Sequence, residues 1–212
     1  MPKMVTILCV LKSGGVYDAE WVRKLRDGVA RHMNLPHRFA CLSDVDVPCE
    51  RIPLKHDWPG WWSKIEMFSP GIITGPTLYL DLDTVITGNI DNFTNLEQSF
   101  AMLENFNEAE MVGSGVMWFK ERAPEGVYER FIQDPQRIMD YYQNVKVGSY
   151  RGDQAFVYDT LDRQVDKISS PALRSYKRHC RNGLPEGASI VCFHGRPRPS
   201  EINPDWLQRN WV

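Results

Sequence analysis

Residues 77–86 constrain the fold of this chain more than any other segment. They form a short apolar run that contains Asp81 and Asp83, bracketed by Gly-Pro at 75–76 and Gly-Asn at 88–89. The apolar, β-prone composition between two turn signals predicts a buried strand. Because side chains alternate between the two faces of a strand, both aspartates are expected to project to the same side.

Two carboxylates placed side by side repel each other, and burying them without partners is costly. A shared divalent cation removes that repulsion, and oxygen-only ligation suits Mg²⁺ or Mn²⁺ with positions left open for substrate phosphates. Alternatively, Asp81 and Asp83 cap a strand and face water. Their position favours the metal, because ligands of α/β sheets bind beyond the carboxyl ends of the strands.

The chain has 212 residues, of which 42% are hydrophobic and 25% charged, and its net charge is −2. This length predicts one domain over residues 1–212. The sequence has no basic stripe or tail of the kind that would indicate a nucleic-acid partner. The apolar run at residues 4–11 is too short for a membrane span and has no small-residue cleavage site after it, so a first strand is expected there.

The sequence contains five cysteines: Cys9, Cys41, Cys49, Cys180 and Cys192. Their number is odd, no C-x-x-C pair occurs, and three of them lie in apolar runs, where a free thiol behaves as a small hydrophobe. We therefore expect a reducing compartment, the cytoplasm, and no structural zinc.

Strands are expected at residues 5–11, 38–42 and 51–54, with a helix capped by Asp18 between the first two. This β-α-β-β order indicates an α/β sheet. Residues 58–68 are aromatic-rich, and their second half is expected to be helical. The later expected elements are strands at 99–103 and 116–119, helices within 124–142 broken at Asp134-Pro135, a helix at 152–161 and a last strand at 189–193.

The turn after the first strand contains Gly14, Gly15 and Tyr17. It matches neither the P-loop pattern nor the G-x-G-x-x-G dinucleotide pattern. Two interpretations stay open. The glycines form a plain tight turn, or they let the backbone approach a nucleoside while Tyr17 stacks on the base.

Lys64 precedes the central strand and is flanked by Trp61, Trp62 and Ile65. A solvated surface lysine is one interpretation. The aromatic surroundings also fit a partly enclosed ammonium that points towards the acidic pair and offsets a diphosphate. Further along, the glycines around Ser114 indicate a close backbone approach at the start of a strand.

Asp153 and Gln154 stand at an expected helix start, where an acid is favoured by the helix dipole. A carboxylate and an amide there also suit sugar hydroxyls or a developing positive charge. His194 follows the last strand and precedes two arginines held by prolines. It is either a structural histidine or a metal ligand beside phosphate-binding cations.

Taken in order, these motifs resemble those of nucleotide-sugar-dependent glycosyltransferases with the GT-A fold, most closely family 8, which includes glycogenin and bacterial lipopolysaccharide glycosyltransferases. The segments that carry the resemblance are Lys64, Tyr79-Leu80-Asp81-Leu82-Asp83, Gly113-Ser114-Gly115-Val116, Gly152-Asp153-Gln154, and His194-Gly195 with Arg198-Pro199. Two departures stand out. Gly113 replaces the family's Asn, and Gly195 follows His194 directly, which leaves open whether Arg196 or Arg198 contacts phosphate.

The resemblance implies an α/β fold of GT-A type: a single Rossmann-like domain with a mostly parallel central sheet flanked by helices. It implies transfer of a sugar from a nucleotide-diphosphate sugar, a UDP-sugar foremost, to a small-molecule, glycan or glycolipid acceptor, with retention. The implied ligands of Mn²⁺ or Mg²⁺ are Asp81, Asp83 and His194. The implied catalytic residues near the anomeric carbon or the acceptor are Asp153 and Gln154. The other implied donor-binding residues are Leu11, Gly14, Gly15, Tyr17, Lys64, Leu82, Ser114, Gly195, Arg196 and Arg198.

Two other functions are compatible with parts of the sequence. Haloacid-dehalogenase-type phosphatases also place an Asp-x-Asp after a strand, usually near the N-terminus, and their motif continues to a Thr. In this sequence the motif lies far into the chain, and Val85 stands in place of that Thr. A non-catalytic sugar- or nucleotide-binding module would use Trp58, Trp61 and Trp62 as a carbohydrate platform. It would bind a glycan without metal-dependent release of UDP.

Overall fold

The computed structural model describes residues 4–144 and 151–212. The strands, in chain order, are β1 (Val5–Leu11), β2 (His37–Ser43), β3 (Glu50–Pro53), β4 (Thr77–Leu80), β5 (Thr84–Ile86), β6 (Phe100–Glu104), β7 (Val112–Phe119), β8 (Asp166–Ile168), β9 (Leu173–Ser175) and β10 (Ile190–Cys192). The α-helices are α1 (Ala19–His32), α2 (Val127–Gln133), α3 (Pro135–Asn144), α4 (Asp153–Thr160) and α5 (Asp205–Asn210). A 3-10 helix, Gly60–Phe68, occupies the aromatic-rich segment.

Seven strands form the central sheet in the order β3-β2-β1-β4-β7-β6-β8. Strand β7 runs antiparallel to both of its neighbours, and the other four pairings are parallel. Parallel sheets need both faces covered, which explains why every residue of β1 except Thr6 is apolar. The expected mostly parallel α/β sheet flanked by helices is confirmed.

The alternation of β1 divides the core into two layers. Ile7, Cys9 and Leu11 pack in the cluster that contains the buried face of α1. Leu8 and Val10 pack in the opposite cluster, which contains Trp62, Ile65 and Phe68 of the 3-10 helix. Helix α1 begins as expected, with Asp18 accepting hydrogen bonds from the backbone N–H groups of residues 20 and 21.

The single strand expected over residues 77–86 is wrong. Strand β4 ends at Leu80, and a turn closed by the hydrogen bond from Thr84 N to Asp81 O at 3.1 Å follows. Strand β5 then joins a second sheet of order β5-β10-β9. The Asp-x-Asp segment therefore lies in a turn between two sheets, and strand alternation does not orient its carboxylates. A run that is apolar on both sides of a short turn carries no periodicity signal that would reveal the turn.

Strand β7 begins at Val112, four residues before the expected start, so Gly113, Ser114 and Gly115 lie inside the strand. Glycine is depleted in strands, so the two glycines in the first half of β7 made that half difficult to predict from the sequence. The expected break at Asp134-Pro135 is confirmed, because α3 begins at Pro135, a position that suits proline at a helix start. The expectations did not include β8, β9 or α5.

Within the described ranges, no helix has the length and apolarity needed to cross a membrane. All five cysteines are free thiols.

Candidate functional site

A cavity of about 290 Å³ opens where the Asp-x-Asp turn meets β7 and the end of β10, and we call it the central cavity. Its lining residues are Asp81, Asp83, Thr84, Leu103, Asn105, Phe106, Asn107, Gly113, Ser114, Gly115, Gln154, Cys192 and His194. Parts of the chain that are far apart in sequence thus supply one polar cavity with two carboxylates at its wall.

Lys64 forms the centre of a buried polar cluster behind this cavity. Its Nζ lies 2.8 Å from Asp153 Oδ2 and 3.2 Å from Asp81 Oδ1. It also donates to Ser114 Oγ at 2.9 Å, and the Ser114 hydroxyl in turn donates to Asp153 Oδ2 at 2.7 Å. The ammonium group therefore uses all three of its N–H groups within the protein. Lys64 points towards the acidic pair and is engaged by carboxylates.

Burial by itself would lower the pKa of Lys64, but the charges of Asp153 and Asp81 outweigh burial and raise it. Lys64 and Asp153 are only 8% and 7% exposed. Since an ion pair this deeply buried is costly to break, the cluster fixes the positions of the carboxylates that it contacts.

Asp81 is held from two sides. Its Oδ1 accepts hydrogen bonds from Lys64 and, at 2.6 Å, from the Tyr79 hydroxyl. Its Oδ2 passes close to Gly115, where a Cβ atom would lie 3.4 Å from the oxygen. The glycine thus makes room for the carboxylate, and Oδ2 is the oxygen that remains available to a ligand.

Asp83 is 7% exposed, and its Oδ2 accepts a hydrogen bond from the Tyr17 hydroxyl at 3.1 Å. Burial, together with the charge of Asp81, raises the pKa of Asp83 to about 6. Burial and the same two carboxylates raise the pKa of Tyr17 as well, so its hydroxyl stays a donor. Tyr17 also packs edge-on against Trp21.

His194 lines the same cavity, and its Nε2 lies 2.7 Å from Ser175 Oγ. Burial, followed by the charge of Lys177, lowers the pKa of His194 to about 4, so the imidazole is neutral at pH 7. Its ring stacks on Phe106 with centroids 5.8 Å apart. While Nε2 is bonded to Ser175, only Nδ1 is left as a ligand atom.

A divalent cation fits the two carboxylates of this cavity by the chemistry of its donors. Asp81 and Asp83 supply oxygen ligands, which Mg²⁺ and Mn²⁺ prefer, and their mutual repulsion is the kind that a cation relieves. Among the residues that the structure describes, no three His, Cys, Asp or Glu side chains are gathered closely enough to hold a metal as they stand. The carboxylate pair fits the metal, and His194 is not assembled with it into a three-ligand group.

The two residues expected to be catalytic take different positions. Gln154 lines the central cavity, whereas Asp153 lies behind it against Lys64. The preceding Gly152 has φ +78°, and a Cβ there would lie 2.9 Å from Trp61 Nε1. The half-exposed indole of Trp61 therefore packs on the backbone that leads into α4.

The two arginines of the last motif differ in exposure. The Arg196 side chain is 76% exposed, whereas that of Arg198 is 19% exposed, and each lies about 3.5 Å from Glu201. Arg198 is also close enough to Tyr17 to affect its pKa. Gly195, at φ +92°, contributes a backbone N–H that favours the ionised form of Asp83.

The glycine turn lies at the carboxyl end of β1. Leu11 is buried, so only its backbone can contact a ligand, while Gly14 and Gly15 are exposed and Gly14 has φ +80°. Asp44, just after β2, accepts hydrogen bonds from the Ser13 N–H at 2.8 Å and the Ser13 hydroxyl at 2.6 Å. The turn is thereby tied to the neighbouring strand. Leu82 is likewise buried at 3% exposure.

The sequence interpretation missed several residues of the site. Tyr79 stands two positions before Asp81, and the strand alternation used for the aspartates would have placed it on the same face. Asn105, Phe106 and Ser175 come from loop and strand ends far away in the chain, and no local pattern marks them.

No family model and no curated protein sequence matches the chain. Its structure does match solved glycosyltransferases. GlyE of Streptococcus pneumoniae TIGR4 aligns with a TM-score of 0.68 and 14% identity over 93% of this chain and 56% of GlyE. The galactosyltransferase LgtC, in complex with donor and acceptor sugar analogues, aligns with a TM-score of 0.58 and 12% identity over 92% of this chain and 88% of LgtC.

The bifunctional glycosyltransferase WbbM aligns with a TM-score of 0.60 and 10% identity over 92% of this chain and 46% of WbbM. The chain thus spans little more than half of GlyE and less than half of WbbM. The fold is that of GT-A glycosyltransferases, as the motifs predicted.

Proposed function

We propose that this chain is a metal-dependent glycosyltransferase that moves a sugar from a nucleotide-diphosphate sugar, a UDP-sugar foremost, to an acceptor. The observation that carries the proposal is the pair Asp81 and Asp83 on the wall of one cavity, backed by the buried Lys64 cluster, in a fold shared with glycosyltransferases. Retention of configuration belongs to the proposal through the family resemblance alone.

A bound Mn²⁺ or Mg²⁺, held by Asp81 and Asp83 with His194 as a further candidate, would supply Lewis-acid stabilisation of the departing diphosphate. The protein's part is to hold those carboxylates in place. Lys64 fixes Asp81 through Oδ1, and Tyr17 fixes Asp83 through Oδ2. Such preorganised charge is the usual source of stabilisation for a leaving anion.

Four further residues are proposed to contact the donor. Arg198 is the better placed of the two arginines to contact a phosphate, because it is largely enclosed and adjoins Tyr17, the partner of Asp83. The Gln154 amide lines the cavity and is available for sugar hydroxyls. The exposed glycine turn at Gly14 and Gly15 is the proposed contact for the nucleoside.

A screen of nucleotide-sugars for Mn²⁺-dependent release of the nucleoside diphosphate tests the proposal. We expect release from at least one donor, its loss in EDTA, and a fall of about a hundredfold or more in Asp83→Asn. The matched control is Glu125→Gln, an acid whose side chain is 83% exposed, which should keep the wild-type rate.

Two results would contradict the proposal. Hydrolysis of a generic aryl phosphate that disappears in Asp81→Asn, without UDP binding, would indicate a phosphatase. Glycan binding with no release of nucleoside diphosphate from any donor would indicate a non-catalytic binding module.

A further inference from the structure

A second cavity, of about 410 Å³, adjoins the central cavity and is not used by the donor site described above. We call it the side cavity. Its lining includes Arg174 of β9, His179, Ser170 and residues 103–107. Leu103, Asn105, Phe106 and Asn107 line both cavities, so the Phe106 ring lies at the boundary between them.

Arg174 carries a charge without a protein counter-ion in this cavity. Across the described residues it forms no salt bridge and no side-chain hydrogen bond, and its Nε is buried without a partner. Buried polar groups are nearly always paired in folded proteins, so an unpaired one needs an explanation. A guanidinium group is well suited to bind carboxylate or phosphate through two parallel hydrogen bonds.

The amide side chains beside Arg174 also present donors. Asn105 Oδ1 accepts hydrogen bonds from the backbone N–H groups of Asn107 and Glu108 at 2.7 and 2.9 Å. Asn107 Oδ1 accepts from Arg178 at 2.6 Å. Since both amide oxygens are occupied, the Nδ2 groups remain for a ligand.

His179 and Ser170 follow the same pattern. His179 Nδ1 accepts the backbone N–H of Ser175 at 3.0 Å, and its pKa is lowered by burial and by Arg174 and Arg178. The ring is therefore neutral with its proton on Nε2, which is a donor. Ser170 Oγ accepts the N–H of Ala172 at 3.1 Å, which leaves its hydroxyl hydrogen free to donate.

Glu104 is the one acid among the described residues that line the side cavity, and it accepts a hydrogen bond from the Ser169 hydroxyl. It lies more than 4 Å from the Arg174 nitrogens, since the two form no salt bridge. The other side chains combine one unpaired cation with several N–H and O–H donors whose acceptor atoms are used by the protein. That combination selects a ligand rich in acceptors and negatively charged.

We propose that the side cavity is the acceptor subsite and that it binds a sugar carrying an anionic group, a carboxylate or a phosphate, through Arg174. The volume is ample for one hexose ring, and the shared wall at Phe106 sets that ring next to the central cavity. The acceptor role rests on the proposed glycosyl transfer, whereas binding of the anionic sugar does not.

Three sugars that differ only at C6 test the inference on the full chain: glucose, glucuronate and glucose 6-phosphate. Binding is followed by ligand-observed NMR without nucleotide or metal. At least one anionic sugar should bind about tenfold tighter than glucose, which corresponds to ~1.4 kcal/mol. Preference for glucuronate would indicate a carboxylated acceptor, and preference for glucose 6-phosphate a phosphorylated one. Equal binding of all three sugars would overturn the inference, and this comparison requires no variant of the protein.

Variants then locate the binding. Arg174→Gln should remove the preference for the anionic sugar while leaving glucose binding unchanged, and Arg174→Lys should restore part of it. Arg198→Gln, which removes the arginine proposed to contact the donor phosphate rather than a residue of the side cavity, is the control and should leave the preference intact. If the preference is unchanged in Arg174→Gln or lost in Arg198→Gln, the anion binds elsewhere and the inference is wrong. A negative result would not contradict the proposed donor binding, because UDP and metal are absent from the measurement.

Discussion

At the scale of single residues, Lys64 is the side chain on which most of the site depends. It joins three parts of the chain, because its partners Asp81, Ser114 and Asp153 follow β4, lie in β7 and begin α4. Its ammonium pairs with the carboxylates of both Asp81 and Asp153 and holds them in place.

Lys64→Met should destabilise the chain by about 3–5 kcal/mol, because it leaves the buried Asp153 carboxylate without its counter-ion. Urea unfolding at pH 7 measures the effect. The control is Arg122→Ala, whose pair with Glu125 is exposed and should contribute less than about 1 kcal/mol.

The double variant Lys64→Met/Asp153→Leu should recover part of the lost stability, since it removes the unpaired charge as well. If Lys64→Met unfolds at the wild-type urea concentration, the buried cluster is not the anchor described here.

Gly152→Ala should be more harmful than an ordinary substitution of a glycine with positive φ. The new Cβ would lie 2.9 Å from Trp61 Nε1 in addition to the backbone strain at φ +78°. Gly126 is the control for a positive φ alone, because its φ is +90° and a Cβ added there would have no atom within 4 Å. Alanine at position 126 should lower the free energy of unfolding only by the cost of the backbone strain, roughly 1–2 kcal/mol.

The excess destabilisation of Gly152→Ala over Gly126→Ala, measured by thermal or urea unfolding, should be about 1 kcal/mol or more. Trp61→Ala in the Gly152→Ala background should remove that excess, as a double-mutant cycle reports. An equal cost at both glycines would show that Trp61 moves aside freely.

At the scale of elements, the turn after β1 is tied to the end of β2 through Asp44. Burial alone would raise the pKa of Asp44, but hydrogen bonds from Lys12 and Ser13 outweigh burial and hold it well below its usual value. Because the pKa is depressed in the folded state, this stabilisation is complete above the unfolded pKa of about 3.9 and is lost as the pH falls.

The free energy of unfolding of wild type should therefore exceed that of Asp44→Asn at pH 7, and the difference should shrink as the pH falls from about 4 to 2. Asp46→Asn serves as control, since that side chain is fully exposed and, among the residues that the structure describes, pairs with Arg51 alone. A difference that does not change with pH would mean that the carboxylate charge of Asp44 does not hold the turn.

Some of the helices, strands and turns could be predicted from the sequence, and others could not. Elements with clear periodicity and caps, such as β1 and α1, were predicted within one or two residues because local chemistry defines them. The turn at Asp81 to Asp83 was missed, since apolar strands on both sides hide a change of sheet. The three-residue strands β8 and β9 depend on pairing with distant strands, which no local pattern encodes.

The site shows the same division. Sequence motifs correctly indicated residues that lie around one cavity, namely Asp81, Asp83 and Gln154. The partners that orient them, Tyr79 on Asp81 and Ser175 on His194, act through hydrogen bonds set by tertiary packing. Those contacts appear only when the sheets are assembled.

At the scale of the whole molecule, the candidate functional site lies where the seven-stranded and three-stranded sheets meet. The Asp-x-Asp turn connects β4 of one sheet to β5 of the other, and His194 follows β10 of the smaller sheet. The central and side cavities share a wall at this junction, one lined by carboxylates and the other by donors. The proposed donor site and the proposed subsite for an anionic acceptor therefore adjoin each other.

Asp81 and Asp83 are proposed to bind a cation that in turn binds a nucleoside diphosphate. Isothermal titration of UDP into the full chain, with Mn²⁺ and then with EDTA, tests it most directly. We expect binding that weakens by about tenfold or more, ~1.4 kcal/mol, when the metal is removed, and an equal loss in Asp83→Asn with metal present. UDP binding of the same strength in EDTA, or in Asp83→Asn, would contradict the claim.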